Sequence, residues 1–184
     1  MNHHLAILAV PGAQLLDVSG PLDVFAEANR LLKRNVYQLQ VISLEEASIR
    51  CSSGVRLLAD ATLQALQSTD TLLIAGAPQA REMQLTAWQS TRLRELCQQS
   101  QRFGSICSGA LLLAQTGLLH GKKVTTHWAC AGAPAAPAAD SQVRAGAVDG
   151  AAGPPRPAAA ARSVLGLALR CWGEGAVRAR GRAR

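Results

Sequence analysis

Cys107 is the side chain of this sequence with the clearest potential for chemistry. It directly follows a short apolar run, Phe103 to Ile106, and precedes a leucine-rich run that is typical of a helix. This spacing predicts a strand-to-helix turn, an elbow that lifts the side chain out of the sheet and leaves free helix N–H groups beside it. Those groups and the helix dipole favour a thiolate, so Cys107 is a candidate nucleophile. The alternative is a small core residue, because free cysteines are among the most buried residues.

Two other groups of residues stand where predicted buried strands end. Asp17 comes soon after the apolar run Leu5–Val10, and Gly76 and Ala77 directly follow another apolar run. In open parallel sheets the ligand binds beyond the carboxyl ends of the strands. We therefore expect these residues to meet Cys107 at one edge of a sheet. The alternative for Asp17 is a carboxylate that only caps a helix starting at Ser19 or Gly20.

Strands alternate with helices through residue 128, which predicts an α/β fold with an open, mostly parallel sheet flanked by helices. Continuous apolar runs are typical of strands buried on both faces of such a sheet. The predicted strands are Leu5–Val10, Tyr37–Ser43, Thr71–Ala75, Phe103–Ile106 and Val124–Thr126, with a small hairpin around Ser53-Gly54.

Helices are predicted where the apolar spacing and the capping residues agree. One is expected to begin at Gly20-Pro21, with the proline in its first turn. A second covers Thr86–Gln99, with Trp88, Leu93, Leu96 and Cys97 facing the core, and a third runs from Ser108 to Gln115. The segment Thr62–Leu66 is expected to form a short helix at most.

Length and composition limit the classes of protein. The chain has 184 residues, which favours one domain, and it has no apolar run long enough to span a membrane. The first ten residues do not resemble a cleavable leader, so we expect a cytoplasmic protein. Five cysteines without a C-x-x-C pair indicate free thiols. Since no cluster of metal ligands is present, we expect neither a metal nor an organic cofactor.

The charge divides the chain into two parts. The net charge is +7, but residues 1–130 contribute +2 and residues 131–184 contribute +5. In the second part 39 of 54 residues are Ala, Gly, Pro or Arg, a composition typical of disorder. This tail could contact nucleic acid or acidic surfaces through its arginines. It could equally be an out-of-frame translation of a GC-rich gene. The folded part itself is not expected to bind nucleic acid.

Several separated blocks, in order, resemble the ThiJ/PfpI superfamily, and within it the branch of isonitrile hydratases and the N-terminal domains of AraC-type transcription regulators. The resemblance implies a class I glutamine amidotransferase-like fold, which has a flavodoxin-like three-layer architecture, for an incomplete domain at residues 1–130. It covers about two thirds of the chain. The matching blocks are Leu15–Phe25, Ser52–Val55, Ile106–Ala110, Gly117–Leu119 and Thr125–Trp128.

The resemblance also implies roles for individual residues. Cys107 would be the elbow nucleophile and Asp17 its acidic partner, and the two groups would share one proton because both cannot be charged at close range. Ser108 stands where the hydratases carry a small hydroxyl residue. The N–H groups near Gly76, Ala77 and Ser108 would stabilise negative charge or contact the ligand. His127 would line the pocket or serve a structural role, and a Cys-His pair is the alternative.

The chain also departs from the family's pattern. Gly76-Ala77 replaces the usual Gly-Gly, and nothing in residues 130–184 clearly supplies the closing strands and helix or a helix-turn-helix pair. We therefore expect the small-molecule sensor half of an AraC-type regulator, truncated before its DNA-binding half. The alternative is a cysteine-dependent isonitrile hydratase, and a general thiol protein is a weaker third possibility. A small-molecule ligand and a homodimer are the expected partners, with no membrane contact.

Overall fold

The structure, a computed structural model, describes residues 2–120, 122–130 and 142–145. Three α-helices are described: α1 (Leu15–Leu32), α2 (Ala87–Gln99) and α3 (Gly109–Ala114). A short 3-10 helix covers Trp128–Cys130. The strands are β1 (His3–Ala9), β2 (Tyr37–Ser43), β3 (Ser48–Arg50), β4 (Arg56–Leu58), β5 (Ala61–Thr62), β6 (Thr71–Ile74), β7 (Arg102–Ser105), β8 (Lys123–Thr126) and β9 (Gln142–Ala145).

Five of these strands form one parallel sheet in the order β5-β2-β1-β6-β7. From β1 the chain first builds outward to β2 and β5, and then returns to the other side of β1 to add β6 and β7. The strand order therefore reverses between β1 and β6, which is the position where open α/β sheets bind ligands. The predicted fold class is confirmed, and β1, β6 and β7 are neighbours as the site requires.

The central strand β1 is buried on both faces, and its residues alternate between two hydrophobic clusters. Leu5 and Ile7 pack with α1 and the hairpin, in a cluster that includes Val18. Ala6 and Leu8 pack with α2 and α3 on the opposite face. Helices thus cover both faces of the sheet, which explains why β1 is continuously apolar and not alternating. This is the predicted three-layer arrangement.

Helix α1 differs from its prediction because it begins at Leu15 and not at Gly20-Pro21. Pro21 lies inside the helix, where it lacks an N–H to donate to the carbonyl four residues earlier. Burial of Val18, which is 1% exposed, and the hydrogen bond from the Gly76 N–H to Asp17 hold the earlier turns in place. Tertiary packing therefore outweighs the local preference of proline for a first turn. Asp17 consequently lies on the first turn of a helix and not in a loop.

Helix α2 begins as predicted, but one residue of its core face was assigned wrongly. Thr86 caps the helix: its hydroxyl accepts from the N–H of Gln89, while the Gln89 side chain accepts from the N–H of Thr86. Leu93 and Leu96 are buried as expected. Trp88, however, is 48% exposed, and Gln89 is buried in its place. The cap fixes the orientation of the first turn, so Gln89 faces inward and Trp88 faces outward.

The segments around residues 50 and 62 test two local predictions. The hairpin is confirmed, since β3 and β4 pair antiparallel on either side of Ser53-Gly54. The segment Thr62–Leu66, for which a short helix at most was expected, forms no helix, and β5 adds two residues to the sheet edge at its start. The N–H of Leu63 continues this pairing by donating to the Ser43 carbonyl at 2.7 Å. The free edge of β2 thus binds a segment too short for a stable helix.

Strand β9 lies within the segment that its composition predicts to be disordered. It pairs in parallel with β8, with Thr126 opposite Ala145. Pairing to the edge of β8 supplies these four residues with backbone hydrogen bonds that composition does not reveal. The other residues of the tail, 131–141 and 146–184, lie outside the described residues, and so does the prediction of disorder for them.

Candidate functional site

Cys107 lies in the predicted elbow between β7 and α3. Its φ angle is 55°, in the left-handed region that few residues other than glycine adopt. Hydrogen bonds on both sides of the residue hold this conformation: the N–H of Ile106 donates to the Ile74 carbonyl, and the N–H of Gly109 donates to the Ile106 carbonyl, both at 2.9 Å. The side chain is half-buried at the carboxyl edge of the sheet. The elbow geometry expected from the sequence is present.

Gly109 is required for this close connection between strand and helix. A Cβ atom at this position would lie 2.3 Å from the carbonyl oxygen of Ile74 and 3.0 Å from that of Ala75. Both atoms belong to the backbone, so they could not move aside without displacing β6. The missing side chain lets α3 begin directly against the end of β6, beside Cys107.

Asp17 is buried at the same edge and is held by the loop that follows β6. Its Oδ2 accepts from the N–H of Gly76 at 3.0 Å. In the reverse direction, the N–H of Gln14 donates to the Gly76 carbonyl at 2.8 Å, so the loop and the start of α1 are joined twice. The carboxyl group also forms a side-chain hydrogen bond with Cys107. The structure thus brings Asp17 and Cys107 into direct contact.

Gly76 lies where these elements meet. A Cβ atom there would be 2.8 Å from Asp17 Oδ2 and 2.8 Å from both the N and Oγ atoms of Ser108. Any side chain at this position would separate the carboxylate from the elbow. Glycine is therefore needed at residue 76, whereas the departure from the family's Gly-Gly falls on the next residue, Ala77.

Ser108 holds the loop in place through two hydrogen bonds with Ala77. Its hydroxyl donates to the Ala77 carbonyl at 2.8 Å and accepts from the Ala77 N–H at 3.0 Å. These contacts change the expectation for the N–H groups of the site. The Gly76 and Ala77 N–H groups already have acceptors within the site, and the Ser108 N–H donates to the Cys107 sulfur. A developing anion would have to compete with these internal partners.

The pKa values of the two central groups move in the same direction. Burial raises the pKa of Asp17 from 3.8 to about 6, although its hydrogen bonds with Gly76 and Cys107 oppose the rise. Burial, followed by the charge of Asp17, raises the pKa of Cys107 to about 11. The expected stabilisation of the thiolate by the helix start is therefore outweighed. Between these pKa values the pair carries one proton, on sulfur, and one negative charge, on the carboxylate.

The chain following β8 covers the backbone of the elbow. Thr126, which is buried, donates from its hydroxyl to the Cys107 carbonyl at 3.2 Å. His127 follows directly and is half-buried, and its Nδ1 accepts from the N–H of Ala129 at 3.3 Å. Asp17 is the acidic side chain that forms a hydrogen bond with the cysteine. The arrangement thus combines a half-buried thiol, a buried acid and a backbone support from a separate strand.

Comparison with known proteins agrees with this geometry. The family model described as the DJ-1/PfpI family matches residues 3–165. The chain belongs to the DJ-1/PfpI family. The resemblance inferred from the sequence blocks is thereby confirmed, and the family match continues past residue 130 into the segment that contains β9.

Curated relatives of this DJ-1/PfpI chain have different roles. It is 35% identical over 126 residues to an uncharacterized protein from the cpoL 5′ region of Streptomyces lividans, covering 68% of this chain and 88% of that one. It is 25% identical to the HTH-type transcriptional regulator GbdR of Pseudomonas aeruginosa, covering 68% of this chain but 34% of the regulator. It is 27% identical to the isonitrile hydratase of Pseudomonas putida, covering 70% of this chain and 54% of the hydratase. The chain thus spans about a third of the regulator and about half of the hydratase.

Solved structures show the same fold. A crystal structure of an AraC family transcriptional regulator from Pseudomonas putida has a TM-score of 0.67 and 22% identity, and the match covers 94% of each chain. Within residues 2–120, 122–130 and 142–145, no helix is long and apolar enough to cross a bilayer. The same residues contain no group of three His, Cys, Asp or Glu side chains that could hold a metal ion.

Sequence reasoning missed two residues of this DJ-1/PfpI site. Thr126 is predicted only as the last residue of a strand and as part of a matching block, yet it supports the elbow through the Cys107 carbonyl. Gln14 was not singled out, although its backbone N–H bonds the Gly76 carbonyl and its side-chain oxygen accepts from Ser52 at 3.0 Å. The position of Thr126 at the end of a strand was a usable signal. Nothing in the local sequence marked Gln14, because its contacts come from distant parts of the chain.

Proposed function

We propose that this chain is a small-molecule-binding domain of the kind found in AraC-type transcription regulators, with its ligand at Cys107 and Asp17. The observation that carries the proposal is the buried Asp17–Cys107 contact at the point where the strand order reverses. Ligands of open α/β sheets bind there. The similarity to the regulator GbdR supports a sensor. Regulation of a promoter would then be a property of the whole regulator.

The site favours a small polar ligand. Near neutral pH it presents a carboxylate with no side-chain cation bonded to it in the described contacts, and a thiol that can donate a hydrogen bond. A ligand with an N–H or O–H donor would complement the carboxylate in a surrounding of low polarity, where such bonds are strong. The rigid loop at Gly76-Ala77 limits the size of the ligand on one side.

A cysteine-dependent isonitrile hydratase is the second candidate, favoured by the hydrogen bond between the thiol and the carboxylate. Asp17 would take the thiol proton as sulfur attacks the isonitrile carbon, and would return it to that carbon to give a thioimidate. Water would then add to the same carbon, giving up a proton to the nitrogen. Collapse of this adduct would break the carbon–sulfur bond, restore the thiol and release an N-substituted formamide.

One experiment separates these two functions. Purified full-length chain is incubated with tert-butyl isonitrile, and formamide is measured by proton NMR. Turnover by the wild type that is lost in Cys107→Ala and Asp17→Asn, but kept in the control Asp23→Asn, would establish the hydratase and refute a pure sensor. Asp23 is a carboxylate outside the site on the same helix.

The sensor is tested in parallel with a panel of small amines, amides and carboxylic acids, using thermal shift and equilibrium dialysis. Binding without turnover that requires Cys107 and Asp17 supports the proposal. If neither turnover nor binding at this site is found, both functions are contradicted. The proposal also includes a cytoplasmic location and a homodimer. Light scattering after size exclusion would contradict the dimer if it gave the mass of one chain.

A further inference from the structure

A second cysteine lies close to the elbow and has no part in the proposed function. Among the described residues, Cys51 and Cys97 are buried, whereas Cys107 and Cys130 are partly accessible free thiols. Cys130 ends the 3-10 helix that follows β8. The accessible thiols therefore both lie at the carboxyl edge of the sheet or in the segment that covers it.

Three contacts hold the segment that carries Cys130 against the elbow. Thr126, four residues before Cys130, donates to the Cys107 carbonyl at 3.2 Å. Arg81 donates from Nη2 to the Ala129 carbonyl at 3.2 Å, which ties the residue before Cys130 to the segment following β6. The Cys130 side chain itself packs against the hydrophobic cluster on the α2 and α3 face of the sheet, to which α3, the helix that follows the elbow, belongs.

The electrostatics of the elbow point to the same proximity. A negative charge on Cys130 raises the pKa of Cys107, and such a Coulombic effect weakens as the distance between the two groups grows. The effect is weaker than those of burial and of Asp17, as expected for a group that is a neighbour but not a hydrogen-bond partner.

We propose that Cys107 and Cys130 form a reversible intramolecular disulfide when the protein meets a hydroperoxide. The Cys107 sulfur attacks the distal peroxide oxygen, its thiol proton passes to Asp17, and the O–O bond breaks. The alkoxide or hydroxide that leaves takes up a proton, and Cys107 becomes a sulfenic acid. The Cys130 thiol then attacks this sulfur, its proton passes to the leaving hydroxyl group, and the S–O bond breaks to release water. Overall, the two thiols lose two electrons and two protons. An alkyl hydroperoxide is reduced to an alcohol and water, and hydrogen peroxide is reduced to two molecules of water.

This disulfide would switch the site off. The sulfur of Cys107 would be bonded to Cys130 and could neither donate to a ligand nor attack one. A thiol reductant would restore both functions. The proposal does not depend on the identity of the ligand, because its readout is the covalent state of the two cysteines.

Peptide mapping of the full-length chain tests the disulfide directly. The reduced protein is treated with a small excess of hydrogen peroxide, free thiols are alkylated, and digested peptides are analysed by mass spectrometry without and with reduction. We expect a cross-linked peptide pair containing Cys107 and Cys130, lighter by two hydrogens than the two separate peptides and lost on reduction. A cross-link of Cys107 to Cys51, Cys97 or Cys171, or between two chains, would overturn the proposal.

Variants identify the order of the steps. In Cys130→Ser the oxidation is expected to stop at the Cys107 sulfenic acid, which dimedone traps, and the cross-link is lost. The control Cys51→Ser changes a thiol of the hairpin and is expected to keep the cross-link. Accumulation of the Cys107 sulfenic or sulfinic acid in the wild type, to the same extent as in Cys130→Ser, would refute the role of Cys130. Mapping of the wild type decides the question if a variant fails to fold.

Discussion

Replacement of Asp17 by asparagine should stabilise the protein while removing its function. Asparagine has nearly the same shape, and its side-chain oxygen can still accept from the Gly76 N–H that bonds Asp17 Oδ2 in the wild type. Its amide can donate to the Cys107 sulfur. What the substitution removes is the negative charge of a carboxylate that is 1% exposed. The effect on stability therefore measures the free energy of holding that charge in the site.

The magnitude follows from the pKa of Asp17. Folding raises it from 3.8 to about 6, so the folded state binds the proton more tightly than the unfolded state. Stability therefore falls as the pH rises through this interval and then stays constant above it. The charge destabilises the wild type by about 1 kcal/mol at pH 4.5 and by about 3 kcal/mol at pH 8, because each pKa unit corresponds to 1.36 kcal/mol. The Asp17→Asn variant avoids this effect at every pH.

Urea unfolding followed by tryptophan fluorescence provides the assay. The advantage of Asp17→Asn over the wild type should grow by about 2 kcal/mol between pH 4.5 and pH 8. Asp23→Asn, a change of a carboxylate outside the site on the same helix, should alter the free energy of unfolding by less than about 0.5 kcal/mol at both values. An Asp17→Asn advantage that does not change with pH would refute the argument that burial of the charge raises the pKa.

Other predictions concern the elbow and its supports. Gly109→Ala should lower the free energy of unfolding, measured in urea, by more than about 2 kcal/mol, because its methyl group would lie 2.3 Å from a backbone oxygen. The control Gly104→Ala should change this free energy little, because the nearest atom to its methyl group would be 3.9 Å away. Equal effects of the two variants would contradict this reasoning. Alkylation of Cys107 by iodoacetamide should rise with pH without a plateau up to about pH 10, and Asp17→Asn should make it faster at each pH, because the carboxylate raises the pKa of the thiol. An unchanged rate would show that the two groups are not coupled. Ser108→Ala removes two buried hydrogen bonds, so the free energy of unfolding should fall by about 1–3 kcal/mol. Amide hydrogen exchange in the loop after β6 should become faster. Protection as in the wild type would contradict the support role.

The strands of the sheet were predictable because their sequences are nearly uniform. The run from Leu5 onward has no polar interruption, which is typical of a strand covered on both faces. The residues that meet in the site were predictable from topology, since residues that follow neighbouring parallel strands lie at the same edge of the sheet. Cys107 and the Gly76-Ala77 loop could therefore be placed from the sequence. Their partners within the site could not, because hydrogen bonds such as that between Ser108 and Ala77 join residues far apart in sequence.

Local signals failed where tertiary contacts outweighed them. Pro21 normally marks the first turn of a helix, but packing of Val18 and the hydrogen bond between Gly76 and Asp17 extend α1 to Leu15. Trp88 is the most hydrophobic residue at the start of α2, yet the cap formed with Thr86 turns it outward. Composition also could not reveal β9, because its partner β8 lies in the other part of the chain. In each case the deciding interaction lies outside the local sequence window.

The left-handed backbone at Cys107 sets the stability of the fold against the presence of the thiol at one residue. A residue with a side chain at this φ angle of 55° is less favourable than glycine by about 1–2 kcal/mol. The free energy of unfolding of Cys107→Gly, measured in urea, should accordingly exceed that of Cys107→Ala by about 1 kcal/mol. The thiol at residue 107 is thus present at a cost in folding free energy that a glycine would avoid.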